Sequence, residues 1–307
     1  MLFTYYYLIG ELENWSICNE VITMPELPEV ETIRIGLQEK IKDKQIKDII
    51  VNITKIIKKP SLREFITKIK DKKIKEIDRR GKYIIIYLDS EDKLVVHLGM
   101  TGLLIYPYNE NSEEIIEGKI KTKHNHLIFT FTDDTQLVFN DVRRFGKIFL
   151  VSNIGEVESI AKLGIEPLED YFTEEVFIQV LNKKKNSKIK SFLMKQEFIA
   201  GLGNIYANEV LHRSNIHPLR LISSLNKTEV QNLYQQIKLV LGEAVKLRGS
   251  TVADEAYRDT DGEKGKFAKK LQVYARKGEP CLKCRHSIEV VRIEGRSSFI
   301  CPQCQKL

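Results

Sequence analysis

The feature that most constrains this chain is its cysteine spacing. Cys281-Leu-Lys-Cys284 is followed, after sixteen residues, by Cys301-Pro-Gln-Cys304. Two CxxC knuckles about 15–20 residues apart are the spacing of a four-cysteine zinc site. Each knuckle presents two sulfurs on one tight turn. Between them, Ile288 to Ile293 alternates like a strand, Glu294-Gly295-Arg296-Ser297 signals a turn, and Ser298 to Ile300 leads back. The expectation is a β-hairpin whose ends are clamped by one structural Zn2+ held by Cys281, Cys284, Cys301 and Cys304. The alternatives are two disulfides or free buried thiols, and the lack of a secretory signal disfavours disulfides. So short a segment buries too little to fold alone, so the metal is expected to hold it.

The remaining chain is long enough for two domains at about 150 residues each. No stretch approaches the ~18 apolar residues needed to cross a membrane. The fifth cysteine, Cys18, stands alone. The net charge is +7, and residues 1–23 contribute three glutamates and no Lys or Arg, which leaves +10 on the rest. A basic body suggests a polyanionic partner, most often nucleic acid. The competing reading is a solvated face in a chain rich in Lys and Ile throughout. Residues 1–23 read as neither a signal peptide nor a membrane helix. They are either an extension or the product of an upstream start, and Met24 is a second candidate start.

The residues Val30, Ile33, Leu37 and Ile41 recur at helical steps, which predicts an amphipathic helix over 28–41. From about 45 to 152 the pattern turns to strands, at 46–53, 82–88, 93–98, 103–106, 126–132, 136–140 and 147–151. Short strands with turn-like joints predict a β-sandwich, with a polar loop over 109–123. After Gly155 helices are predicted at 174–181, 187–195, 204–214 and 229–247. Thr228 and Gln231 suggest a capping box for the last. Residues 249–266 read as a long charged loop, a length usually functional in a compact domain. No internal repeat is present.

If the chain begins after Met24, Pro25 carries a free secondary amine. An α-amino group has a pKa of about 8, so much of it is unprotonated near neutrality. Such an amine can attack a sugar C1′ to give an iminium, with Glu26 beside it to move protons. On chemistry alone, Pro and Glu at a helix start is the stronger reading.

Several ordered motifs change that balance. Met24-PELPEVET, Arg79-Arg-Gly-Lys82-Tyr83, His97-Leu-Gly-Met100-Thr-Gly102, Arg143-Arg-Phe-Gly146, Leu163-Gly-Ile-Glu-Pro-Leu168, Gly201-Leu-Gly-Asn-Ile-Tyr-Ala207 and Leu271 to Pro280 run in sequence to the zinc hairpin. Together they resemble the bacterial formamidopyrimidine-DNA glycosylase family, over nearly all of residues 24–307. The opening PELPE favours that purine-lesion branch over its endonuclease VIII relatives.

The resemblance implies an α+β fold. A catalytic N-terminal β-sandwich flanked by helices would span 24–153, and a helical helix-two-turn-helix DNA-binding domain 154–267. A zinc-finger β-hairpin would span 268–307, with 1–23 an atypical extension. It implies a bifunctional DNA glycosylase and abasic-site lyase of base excision repair, acting on duplex DNA that carries 8-oxoguanine or formamidopyrimidines. Pro25 would be the Schiff-base nucleophile, Glu26 its acid/base partner, and Lys82 and Arg296 active-site cations, with Arg296 beside the δ-elimination step. The target base must leave the stack. Met100, Arg143 and Phe145 match the residues that fill the void, as apolar wedges and a hydrogen-bond donor. The family usually has proline where this chain has Val142, which loosens that loop. Lys190 and Asn204 match phosphate contacts, the latter at a helix start that favours anions. His97, His124, Lys185 and Tyr274 match further DNA contacts, with Lys185 placed to within one residue. The 249–266 loop matches a lid over the lesion. A monomer in the bacterial cytoplasm, associated with the nucleoid through DNA and with no membrane partner, is implied. The competing class is a non-catalytic damaged-DNA-binding protein, which follows if residues 1–23 are retained and Pro25 has no free amine.

Overall fold

The structure is a computed structural model and describes residues 24–108, 121–252 and 257–307. The expectations for residues 1–23 and for most of the 109–123 loop lie outside those residues.

The first helix, α1 (Leu27–Ile41), buries Val30, Ile33, Leu37 and Ile41 completely, as their spacing predicts. Among the described residues nine strands follow: β1 (Ile46–Val51), β2 (Ile57–Lys59), β3 (Ile74–Arg80), β4 (Tyr83–Leu88), β5 (Lys93–His97), β6 (Gly102–Ile105), β7 (Asn125–Phe131), β8 (Gln136–Asp141) and β9 (Lys147–Val151). They form two sheets, ordered β1-β7-β8-β6 and β2-β9-β5-β4-β3. Among the described strands, only β2 and β9 pair in parallel. One apolar cluster joins Ile84, Ile86, Val96 and Ile148 of one sheet to Leu127, Phe129 and Phe139 of the other, with α1 along its edge. The alternate residues of β4, Tyr83 and Ile85, pack on the opposite face under α3 (Glu158–Ala161). That explains the unbroken apolar run in β4: both its faces are covered.

Four of these elements escape the sequence reading: β2, β3, the helix α2 (Leu62–Ile69) and the short helix α3. The strands β2 and β3 are sheet edges with few apolar residues, whereas α2 carries Leu62, Phe65, Ile66 and Ile69 at helical steps, a signal that the sequence does offer. In β3 the burial alternates around Ile74 and Ile77, and in α2 only Phe65 and Ile69 are buried. A charged edge strand carries a weak period-two signal.

The second half contains α4 (Glu174–Asn182), α5 (Ile189–Leu193), α6 (Asn204–Arg213) and α7 (Lys227–Lys246). The helix α7 starts two residues earlier than expected, and its capping box is Asn226 with Glu229, not Thr228 with Gln231. Glu229 N–H donates to Asn226 Oδ1 at 2.9 Å, and Asn226 N–H donates to Glu229 Oε2 at 2.8 Å. Arg220 also pairs with the Glu229 carboxylate, which fixes Glu229 at the third helical position.

The hairpin strands β10 (Glu289–Ile293) and β11 (Arg296–Ile300) pair in antiparallel register, with Ile293 opposite Arg296. The two residues between them, Glu294 and Gly295, both have positive φ (48° and 75°), as a tight two-residue hairpin turn requires. The cluster around α4–α7 runs on through Val273, Tyr274, Cys281, Ile288, Phe299 and Cys301. The hairpin module therefore shares the core of the helical domain and does not depend on its metal alone.

The two halves meet at a buried ion network. Glu166, from the segment before α4, accepts from Arg79 Nη1 and Arg80 Nη1, each at 2.7 Å, and from Gly81 N–H at 2.6 Å. Arg79 also reaches Glu31 on α1 at 2.9 Å. This clamp holds the turn that immediately precedes Lys82.

Candidate active site

A cleft of about 550 Å³ lies between the β domain, α6 and the hairpin turn. It gathers Glu26, Lys82, His97, Met100, Asn204, Tyr274 and Arg296 from positions scattered over the sequence. Pro25 is buried and directly precedes Glu26, and Met24 lines the cleft wall.

Glu26 sits just before α1, yet its partners are on α6. Its carboxylate accepts from Gly203 N–H and Ile205 N–H, each at 2.9 Å, and from Tyr206 N–H at 3.4 Å. These are the unpaired donors of a helix N-terminus, where an anion is favoured. The backbone donors of this helix start are thus taken up by the protein's own carboxylate. The N-cap is Gly203, and Asn204 is the first helical residue, half-buried in the cleft wall. Burial pushes the Glu26 carboxyl up, and the Lys82 ammonium and the three backbone donors oppose that shift. Lys82 is buried in turn, which pushes its pKa down, opposed by Glu26 and Glu29. Both side chains press on Gly203. A Cβ there would lie 2.3 Å from Glu26 Cδ and 2.7 Å from Lys82 Nζ.

Glu29 is a site residue that the sequence reading passed over. Its carboxylate accepts from Tyr206 Oη at 2.5 Å, Ser250 N–H at 2.6 Å and Glu26 N–H at 3.0 Å. Burial, and then the neighbouring Glu26, push its pKa up to about 7. The signal was available: Glu26 and Glu29 have the spacing of a reciprocal capping pair. Ser250 begins the long loop, whose legs are also pinned, by Arg248 on Asp259 and Asp261 at 2.8 and 2.7 Å. The tip of that expected lid, residues 253–256, lies outside the described residues. Glu209 on α6, buried completely, accepts from the backbone N–H groups of Gln272, Val273 and Tyr274 at 2.8–3.0 Å. It thereby sets Tyr274 against Phe299 of the hairpin.

The remaining expected residues divide by position. His97 Nδ1 accepts from Gly99 N–H at 3.1 Å, and burial lowers its pKa to about 4, so the ring is neutral. Arg143 and Phe145 are exposed beside each other, the guanidinium 5.0 Å from the ring centroid. Exposure of Phe145 to 50% leaves an apolar wedge facing solvent. His124 is half-buried, with no partner for Nδ1 among the described residues. Lys185 is exposed on the turn between α4 and α5, away from the cleft. Lys190 differs most from expectation. It is 1% exposed and donates to Ser298 Oγ at 2.6 Å and Ser297 O at 3.1 Å, so it supports the hairpin from beneath. Burial lowers its pKa to about 7. Arg296, on the hairpin, is exposed and adds a third cation to Lys82 and Lys190.

The four cysteine sulfurs lie within 4.8 Å of one another, with no disulfide. Tetrahedral Zn–S bonds of about 2.3 Å need sulfurs roughly this close. The site fits one structural zinc, and with four protein ligands it leaves no open position for catalysis.

Comparison with known proteins agrees with this geometry. The family model for the formamidopyrimidine-DNA glycosylase N-terminal domain matches residues 24–148. The H2TH domain of the same family matches 163–256, and a zinc finger found in FPG and IleRS matches 278–307. A formamidopyrimidine-DNA glycosylase of Pelotomaculum thermopropionicum is 43% identical over 92% of this chain and all of its own length. The crystal structure of the MutM (Fpg) protein of Thermus thermophilus superposes with a TM-score of 0.80 at 34% identity, covering 92% of this chain and 98% of that one. A complex of Lactococcus lactis Fpg with DNA containing N7-benzyl-Fapy-dG gives the same score and identity, over 92% of this chain and all of that one. Fold, cleft and finger define a DNA glycosylase of base excision repair. The chain belongs to the formamidopyrimidine-DNA glycosylase family.

Proposed function

We propose that the protein is a bifunctional enzyme that excises oxidised purines, 8-oxoguanine and formamidopyrimidines, from duplex DNA and then cleaves the strand. The observation that carries this reading is the meeting of Glu26 and Lys82 over Gly203, in the cleft next to Pro25. In a chain that begins at Pro25, the proline nitrogen is an amine. Its lone pair forms a bond to C1′ of the extruded nucleotide while the glycosidic bond breaks and the base leaves with a proton. Glu26 moves protons at the sugar. Lys82 and Arg296 neutralise the phosphates as β- and then δ-elimination open the strand on both sides, leaving a one-nucleotide gap.

The exposed Arg143 and Phe145, with Met100, fill the space left in the duplex. His97, His124, Lys185, Lys190, Asn204 and Tyr274 complete the DNA-facing set, with Lys190 acting through the hairpin as well. We divide the chain into a catalytic domain at 24–153, a helix-two-turn-helix domain at 154–267 and a zinc hairpin at 268–307, working as a monomer in the bacterial cytoplasm. Among the described residues no helix is long and apolar enough to cross a membrane.

Borohydride trapping on an 8-oxoguanine duplex tests the reading, with intact-mass analysis of the natural protein. The chain starting at Pro25 is expected to give a covalent adduct, and Pro25→Gly a weaker one. No adduct from the chain starting at Pro25 sinks the enzyme reading. A natural protein that retains residues 1–23 and traps nothing supports a non-catalytic DNA binder.

A further inference from the structure

His212, near the end of α6, is completely buried. A buried imidazole needs partners for its ring nitrogens. One is the side chain of Gln272, whose carboxamide oxygen lies 3.1 Å from Nδ1. The other is Cys281, whose sulfur lies 3.5 Å from Nε2. We infer that His212 is an outer hydrogen-bond donor to the zinc site, with its Nε2–H directed at the Cys281 sulfur.

The chemistry of the donor set leads there. Four thiolates around Zn2+ carry a net charge of −2, and two of these cysteines, Cys281 and Cys301, are fully buried. Buried negative charge is costly unless hydrogen bonds reach it. Cys301 receives Cys304 N–H at 3.4 Å from within its own knuckle. Cys281 receives a donor from outside the module, across the interface with α6. A zinc-bound thiolate only accepts, so the ring proton belongs on Nε2. Nδ1 then accepts, which requires the Gln272 carboxamide to present its NH2 group. Side-chain amide oxygen and nitrogen are interchangeable by a half-turn.

Other contacts hold this arrangement in place. Lys283, between the two cysteines of the first knuckle, donates to His212 O at 3.1 Å, Arg213 O at 3.3 Å and Asn215 Oδ1 at 2.9 Å. It caps the carbonyl end of α6, where a cation is favoured. Gln305, beside the second knuckle, accepts from Cys301 N–H and donates to Ile216 O, each at 3.0 Å. The helix α6 thus carries the Glu26 carboxylate at one end and a donor to the zinc thiolate at the other. His212 is a positioning residue, buried and not part of the cleft lining.

The test uses the full chain loaded with metal. Outer hydrogen-bond partners commonly change metal affinity by about 10- to 100-fold. His212→Phe keeps an aromatic ring and removes the donor. It is expected to weaken zinc affinity in a chelator competition by about that factor. His212→Gln, which returns an N–H near the Nε2 position, is expected to recover most of it. In wild-type protein substituted with 113Cd, a scalar coupling between the cadmium and the His212 Nε2 proton is expected across the N–H···S bond. Unchanged zinc affinity in folded His212→Phe overturns the inference. If that variant fails to fold, the absence of the cadmium coupling in the wild type overturns it instead.

Discussion

The carboxylate of Glu26 accepts a hydrogen bond from the backbone N–H of Ile205 at 2.9 Å, although 179 positions separate the two residues. The bond joins the start of α1 to the start of α6, and so joins the β domain to the helical domain at the buried Glu26 carboxylate. The approach is possible because Gly203 has no side chain. Gly203→Ala would force Glu26 and Lys82 apart, since both lie closer than 3 Å to the added carbon. The expected outcome is loss of borohydride trapping by more than tenfold, with a smaller loss of affinity for undamaged duplex. Trapping at the wild-type rate would show that this packing is not required.

Glu29 predicts a pH dependence of stability. Its folded pKa of about 7 lies above the ordinary 4.5, because of burial and then Glu26. The folded protein therefore holds a proton that the unfolded chain releases near 4.5. The stabilising contribution is complete below that value and is lost as pH rises toward about 7. The shift corresponds to roughly 3 kcal/mol over that window. Tyr206 Oη donates to Glu29 Oε1 and lies 3.2 Å from Ser250 Oγ. Glu29→Gln should flatten the profile of denaturation midpoint against pH between 4.5 and 7. An unchanged slope would place the titration elsewhere.

Glu166 anchors two arginines and the Gly81 amide, and it is 4% exposed. Removing one partner of a buried ion pair typically costs about 3–5 kcal/mol, because the other charge is left unpaired. Glu166→Gln should lower the denaturation midpoint accordingly. Because Gly81 precedes Lys82, cleavage should fall more than the population of folded protein does. Equal falls would mean that the clamp is purely structural.

Zinc and Lys190 support the hairpin in different ways. A chelator should remove the clamp on the two ends of the hairpin and loosen the Glu294–Ser297 turn, so DNA binding and cleavage fall together. Lys190→Ala removes the two donors beneath Ser297 and Ser298. It should retain one zinc per chain by metal analysis, yet bind duplex DNA less tightly and with a shallower dependence on salt. Loss of zinc in this variant would show that the two supports are not separable.

The sequence by itself determined the parts whose signals are local. The two CxxC knuckles define a ligand set because metal geometry needs only short-range spacing. The apolar periods of α1 and β7 fix which residues face the core, because each period belongs to one element. Motif order alone pointed to the family and to most of the cleft's residues. What only the tertiary structure decided concerns contacts between distant elements. That the N-terminus of α6 receives the Glu26 carboxylate depends on where the start of α1 meets the start of α6. That Lys190 lies buried under the hairpin, in a chain full of surface lysines, depends on where α5 meets β11. The charged strand β3 carried too few apolar residues to announce itself, whereas α2 was legible in the helical steps of Leu62, Phe65, Ile66 and Ile69 behind Ser61. Burial, and with it the shifted protonation of Glu26, Glu29 and Lys82, exists only once the two halves of the chain close around them.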